Sequence, residues 1–151
     1  MAQQVFLSIG AKSRTSADQD DAQAAQRAIK QLMKSKGINP DQLVMENGSG
    51  LSRNERVSAK ALSLILQDAW NGPYAAEFTA SMPLVGMDGT MLGQAHIKTG
   101  TLNNVRAIAG FSRDRNGKTW AVVAFLNDPR PWGASAILDM FLTELWSQPK
   151  Q

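Results

Sequence analysis

Apolar positions recur at helical spacing in three stretches of the chain and at strand spacing in a fourth. Ala22, Ala25, Ile29, Leu32 and Met33 fall on one side of a 3.6-residue period and predict a helix over 17–36. Ser16, with Gln19 three residues later, has the form of a capping box at its start. Gly37 follows a basic last turn, where a C-terminal glycine belongs. Val57, Ala61, Leu62, Ile65 and Ala69 predict a second helix over 58–70, which Asn71-Gly72-Pro73 ends because proline cannot continue it. A short helix over 2–12 has a fainter pattern, and Asn47-Gly48-Ser49-Gly50 has the composition of a turn.

Residues 81–94 are rich in Gly and Met and have no clean period, which predicts a loop with a short helical or extended piece. From residue 95 the pattern is that of strands. AHIKTGT is short and glycine-bounded; VRAIAGFSR alternates, with Val105, Ala107, Ala109 and Phe111 on one face. Asn116-Gly117 marks a hairpin, since both residues tolerate positive φ. TWAVVAFL is apolar on both faces, so it is expected to be internal and covered on both sides. After Pro129 and Pro131, Ile137, Leu138, Phe141, Leu142, Leu145 and Trp146 predict a last helix over 133–147. Helices, then a three-stranded antiparallel meander, then a helix give an α+β fold within one domain, 1–151. Another strand is expected to pair with TWAVVAFL.

Composition narrows the function classes. The 151 residues are 43% hydrophobic and 19% charged, an ordinary globular balance. No cysteine is present, which removes disulfides and thiolate metal sites, and the single histidine, His96, cannot hold a metal alone, so no metal or cofactor is expected. A net charge of +3, with scattered basic residues, argues against nucleic acid as partner. The longest apolar run, Ala121 to Leu126, is too short to span a bilayer, and no basic segment precedes the apolar stretch of the N-terminus as a secretory signal requires.

Lys98-Thr99-Gly100-Thr101 is the candidate chemistry. It ends a short strand that leads into a hairpin, and its glycine leaves one side of the strand open for a ligand. Lys-Thr-Gly is also a signature triplet of class A β-lactamases and penicillin-binding proteins. With "ENGSGLSR" (46–53), "PLVGMDGT" (83–90) and "KTGTLNNVRAIAGF" (98–111) in this order, the chain resembles the C-terminal region of DacB-like class C penicillin-binding proteins, the D-alanyl-D-alanine carboxypeptidase/endopeptidase family. The resemblance extends over roughly residues 1–147 and implies the C-terminal part of a β-lactamase/transpeptidase-like domain.

In that family a serine of a Ser-x-x-Lys helix attacks the peptide bond of D-Ala-D-Ala and forms an acyl-enzyme. The resemblance implies that Lys98 and Thr101 are catalytic, Lys98 through its charge and Thr101 through an oxyanion-hole N–H. It implies that Thr99 and Gly100 bind substrate, Thr99 by its hydroxyl and Gly100 by leaving the wall clear. Peptidoglycan D-Ala-D-Ala peptides and β-lactams are the implied ligands of the parent protein, and its implied place is the periplasm or cell envelope. The family usually has Asp at the position of Asn47, and the glycine-rich string around it reads as a structural turn. His96 shares the face of Lys98 by strand alternation and reads as a partly buried, hydrogen-bonded side chain. Met82 to Met91 reads as a packing segment.

The family's other two motifs have only decoys here. Ser147-Gln148-Pro149-Lys150 fits Ser-x-x-Lys by letters, but Pro149 interrupts it; Ser52-Arg53-Asn54 fits Ser-x-Asn but lies in the glycine-rich string. MAQQVFLSIGA resembles the helix that follows the family's Ser-x-Asn, so Met1 is expected to correspond to an internal position of a longer protein. The chain alone is then expected to be inactive and, with strand 118–126 lacking its neighbour, to associate with itself. A non-catalytic module that binds peptidoglycan peptides or a protein, and an α+β domain with chance motif matches, are the alternative readings.

Overall fold

The computed structural model describes residues 1–85, 95–128 and 134–147. The architecture is α+β, with five α-helices and two antiparallel sheets among the described residues. The chain divides into two compact units, Met1–Ala61 and Leu62–Gln151, taken in turn.

The first unit is built on two helices, α1 (Ala2–Ser13) and α2 (Asp21–Ser35). The cap of α2 is Asp20 and not Ser16: the Asp20 carboxylate accepts from the N–H of Gln23 at 2.8 Å, and the Gln23 side chain accepts from the N–H of Gln19 at 2.6 Å. The residues before it are drawn into a separate turn in which Asp18 accepts from the N–H and the hydroxyl of Thr15, both at 2.8 Å. Arg27 closes that turn with a two-pronged contact to Asp18 at 2.8 and 2.6 Å, and the same guanidinium reaches the carbonyl of Ser13 at the end of α1. The hydrogen bonds from Arg27, and next those from Thr15, hold the Asp18 carboxyl well below the usual carboxylate range. Gly37, at φ 70°, ends α2 as expected; its N–H bonds Lys34 and that of Ile38 bonds Met33, the two bonds of a Schellman motif.

A two-stranded ribbon completes this unit: β1 (Leu43–Val44) pairs with β2 (Arg56–Val57). The glycine-rich string closes it as a turn. Gly48 (φ 68°) lies so near Phe6 that a Cβ there would come within 2.7 Å of the Phe6 Cβ. Asn47 accepts from the N–H of Ser49 at 2.9 Å, and Ser52 and Asn54 both donate to the Glu46 carboxylate, which lowers its pKa.

The second unit holds most of α3 (Ala59–Trp70), a short α4 (Ala75–Ala80) that the sequence pattern does not announce, and a sheet in the order β3-β4-β5-β6. Its strands are β3 (Leu84–Val85), β4 (Ala95–Leu102), β5 (Val105–Arg113) and β6 (Thr119–Asn127), all antiparallel to their neighbours, and α5 (Ala134–Trp146) follows. β3 is the extended piece expected within 81–94; residues 86–94, and with them most of the string 83–90, lie outside the described residues. The core consists of Ala95, Ile97, Ile108, Val122, Leu138 and Leu142, so α5 covers the sheet face of Ile97, Ile108 and Val122. The opposite face carries Phe111, whose ring packs on Trp70 at 5.0 Å and Phe78 at 6.3 Å. Both faces of β5 are therefore apolar, and its most enclosed aliphatic, Ile108, is on the face the alternation assigns no apolar role.

Two further expectations change. The β5–β6 hairpin turns on residues 115–117 with only Gly117 at positive φ, and Asp114 organises it. The buried Asp114 carboxylate accepts from the N–H groups of Asn116 (2.8 Å) and Lys118 (3.0 Å) and from the indole of Trp120 (3.0 Å). The Trp120 bond contributes most to keeping its pKa low. β6 is an edge strand, in keeping with a strand 118–126 that lacks its neighbour, but it is not covered on both sides: among the described residues its sole strand partner is β5, and of its apolar side chains only Val122 is buried. Its two-sided apolarity is left without the second strand neighbour that would explain it.

Candidate functional site

Strand register fixes what each residue of Lys98-Thr99-Gly100-Thr101 can do. Lys98 faces Ala109 across the ladder and Thr99 faces Ile108, so the two side chains leave opposite faces of the sheet. Lys98 shares its face with His96 and Phe111; Thr99 and Thr101 share the face of Ile97 and Ile108. All four motif residues are exposed, in contrast to Ala95 and Ile97 just before them.

The backbone is equally ordered by parity. The N–H of Ile97 donates to Pro83 at 2.9 Å, on the edge of β4 away from β5. In an antiparallel strand alternate residues point their N–H and C=O to the same edge. Thr99 and Thr101 therefore present N–H and C=O on that outer edge. β3 engages only Ala95 and His96, so no strand among the described residues pairs with the edge at 99–101. The ammonium of Lys98 turns onto this edge and donates to the Thr99 carbonyl at 2.5 Å. An extended ligand laid along the edge would meet two N–H donors, two carbonyls, one of them already bonded by Lys98, a cation on one flank and two hydroxyls on the other.

Gly100 stands opposite Ala107, and a Cβ added to it would lie 3.5 Å from the Ala107 Cβ, an ordinary contact. The interior therefore does not demand glycine here. Gly110 differs, because a Cβ there would fall 2.0 Å from the carbonyl oxygen of His96, so glycine is what lets β5 lie against the start of the motif strand. His96 is half-buried, with Nδ1 3.4 Å from the Met82 carbonyl.

Arg106, which the sequence pattern did not single out, is the cross-strand partner of Thr101. Only the register could have found it. Its Nη1 donates to the carbonyls of Leu102 and Val105, both at 2.9 Å, at the hairpin tip that follows the motif. A groove of about 250 Å³ lined by Gln67, Trp70, Asn71, Phe111, Thr119, Trp120 and Ala121 touches β6 and contains none of the motif residues. Among the described residues no group of His, Asp and Glu could hold a metal ion, and no helix is long and apolar enough to cross a membrane. Of the two decoy motifs, Ser52 donates to Glu46 in the glycine-rich turn, and residues 148–150 lie outside the described residues.

Comparison with known proteins gives one consistent picture. Residues 1–144 match the model of the D-Ala-D-Ala carboxypeptidase 3 (S13) family. The chain is 29% identical over 111 residues to the D-alanyl-D-alanine carboxypeptidase DacB of Haemophilus influenzae, covering 66% of this chain and 23% of that protein. It is 31% identical over 97 residues to the D-alanyl-D-alanine carboxypeptidase of an Actinomadura species, covering 55% and 18%. The crystal structure of penicillin binding protein 4 from Haemophilus influenzae superposes with a TM-score of 0.72 at 24% identity, over 83% of this chain and 32% of that one. A penicillin G-acylated predatory endopeptidase of Bdellovibrio bacteriovorus, in complex with an immunity protein, gives 0.68 at 17% identity, over 97% and 47%. The chain thus spans a quarter or less of the length of these two carboxypeptidases.

Proposed function

Because the chain belongs to the D-Ala-D-Ala carboxypeptidase 3 (S13) family, we propose that it forms the Lys-Thr-Gly wall of a serine-type D-Ala-D-Ala carboxypeptidase/endopeptidase. The substrates are peptidoglycan stem peptides, β-lactams act as substrate mimics, and the place of action is the periplasm or cell envelope. The observation that carries this reading is the outer edge of β4, where Lys98 and the N–H groups of Thr99 and Thr101 converge without a strand partner among the described residues.

The chemistry follows from that edge. A serine of the parent protein's Ser-x-x-Lys element attacks the carbonyl carbon of the penultimate D-Ala. The tetrahedral intermediate collapses to a serine ester as the amide C–N bond breaks, and terminal D-Ala leaves after its nitrogen takes a proton. Water then hydrolyses the ester. Lys98 supplies a cation for the substrate's terminal carboxylate, and the Thr99 hydroxyl flanks the edge from the other face. Gly100 leaves the Lys98 face beside that edge clear of a side chain. The outward N–H of Thr101 donates to the carbonyl oxygen as it gains charge, an interaction strongest in the transition state.

Titration of the chain with N-acetyl-D-alanyl-D-alanine, followed by amide chemical shifts, tests the reading. Shifts centred on Thr99 to Thr101, and absent in Lys98→Ala, are the expected result. Shifts that avoid β4 or survive Lys98→Ala contradict it.

A further inference from the structure

Thr101 is the last residue but one of β4, and its N–H points to the outer edge of the sheet, so no ladder hydrogen bond to a described strand holds that group in place. The chain reverses immediately afterwards through Asn103 and Asn104, with Asn104 at φ 62°, a conformation asparagine tolerates better than most residues. A strand end of this kind frays unless something fastens it. Arg106 is placed to do so. It sits directly opposite Thr101 on the same sheet face, and its Nη1 binds at once the carbonyl of Leu102, which ends β4, and the carbonyl of Val105, which begins β5. One cation therefore bridges the two strands one residue beyond the proposed oxyanion donor. The half-buried guanidinium makes both bonds charge-assisted, the stronger class of hydrogen bond.

We infer that Arg106 is a positioning residue for the Thr101 N–H: by fastening the β4–β5 turn, it holds that donor at a fixed point on the open edge. The inference rests on the reading of Lys98 to Thr101 given above. It assigns Arg106 no contact with the substrate.

The test uses the full chain, ¹⁵N backbone relaxation and titration with N-acetyl-D-alanyl-D-alanine. In the unaltered chain the order parameters of Gly100 to Leu102 are expected near the rigid value of about 0.85; in Arg106→Ala they fall towards about 0.6 at these residues, with β6 and α2 unchanged. Peptide binding weakens about tenfold in Arg106→Ala, because the loosened Thr101 segment must be ordered again on binding, and Arg106→Lys, which keeps a cationic donor, restores both readings in part. Arg106→Gln serves if the alanine variant does not fold. Unchanged order at Gly100 to Leu102, or a loss of order spread through the whole sheet, overturns the inference. Lys98→Ala is the control for the underlying reading, expected to lose peptide binding with order intact. If the unaltered chain binds no peptide, the carboxylate reading fails, and the relaxation measurement still decides whether Arg106 fixes Thr101.

Discussion

Ile97 and Lys98 are adjacent in β4 yet belong to different worlds: Ile97 is 1% exposed beneath α5, and Lys98 stands on the other face with its ammonium 2.5 Å from the Thr99 carbonyl. The pairs Ile97 with Gly110 and Lys98 with Ala109 set this division, and it separates what holds the strand in place from what the strand presents. Replacing Ile97 with Ala should cost about 2–5 kcal/mol, the range for a large core aliphatic. Lys98→Ala should stay within about 0.5 kcal/mol, as for an exposed side chain away from packing. Paired urea melts check both; equal losses would mean the register is wrong by one residue.

Gly110 is the second point where the motif strand depends on its neighbour. An alanine there would need the His96 carbonyl to move from a 2.0 Å overlap, and His96 lies two residues before Lys98. Gly110→Ala is expected to cost about 1–3 kcal/mol or more through overpacking. Gly100→Ala, with only a 3.5 Å contact to Ala107, should leave the melting temperature nearly unchanged while impairing ligand binding. Thermal melts of the two variants side by side separate a glycine needed for packing from one needed for access.

Arg27 and Asp18 give the first unit an acid-sensitive clasp. The Asp18 carboxyl titrates below its ordinary value of 3.8 because the folded state holds it ionised. A group with a depressed folded pKa adds stability above its unfolded pKa and loses it as pH falls through the lower, folded value. The contribution should thus be intact at pH 6 and decline below about pH 4, where the unfolded chain takes up the proton first. Asp18→Asn should lower the melting temperature by several degrees at pH 6 and show a shallower acid decline. An identical acid decline in the variant would remove Asp18 from the account.

β6 ends the described sheet with its outer edge unpaired, and such edges recruit other strands. Self-association of the chain is the expected outcome, seen as a concentration-dependent mass in light scattering. A stable monomer at high and low concentration would contradict it.

How far the sequence carried varied from place to place, for physical reasons. The helices with a sustained apolar stripe, α2 and α3, and the three long strands were legible because burial on one face imposes a period. The start of α2 was not: Ser16 with Gln19 and Asp20 with Gln23 both have capping spacing, and the contact of Arg27 with Asp18 decides between them. α4 has six residues, too few to show a period. On β5 the small residues at 107, 109 and 110 blur which face is the interior, so Ile108 was assigned to no face. Lys98 to Thr101 could be found because the motif is contiguous in sequence. Arg106 could not, because its meaning comes from standing opposite Thr101.

The chain as it stands should not be acylated by penicillin. Its single Ser-x-x-Lys string, Ser147 to Lys150, contains Pro149, a residue unsuited to the helix interior that sets a serine beside its lysine base. Incubation with a labelled penicillin followed by intact mass should show no adduct; a stoichiometric adduct on any serine would contradict this.

The central claim is that the Lys98 edge serves acylation, and the acylation rate of a protein joining this chain to a family Ser-x-x-Lys segment measures it. With penicillin as the probe, Lys98→Ala should lower the rate constant by about 100- to 1,000-fold while the fold and melting temperature stay as they were, the size of one preorganised electrostatic donor. An acylation rate that is the same with lysine or alanine at position 98 would make Lys98 an ordinary surface residue and the proposed wall wrong.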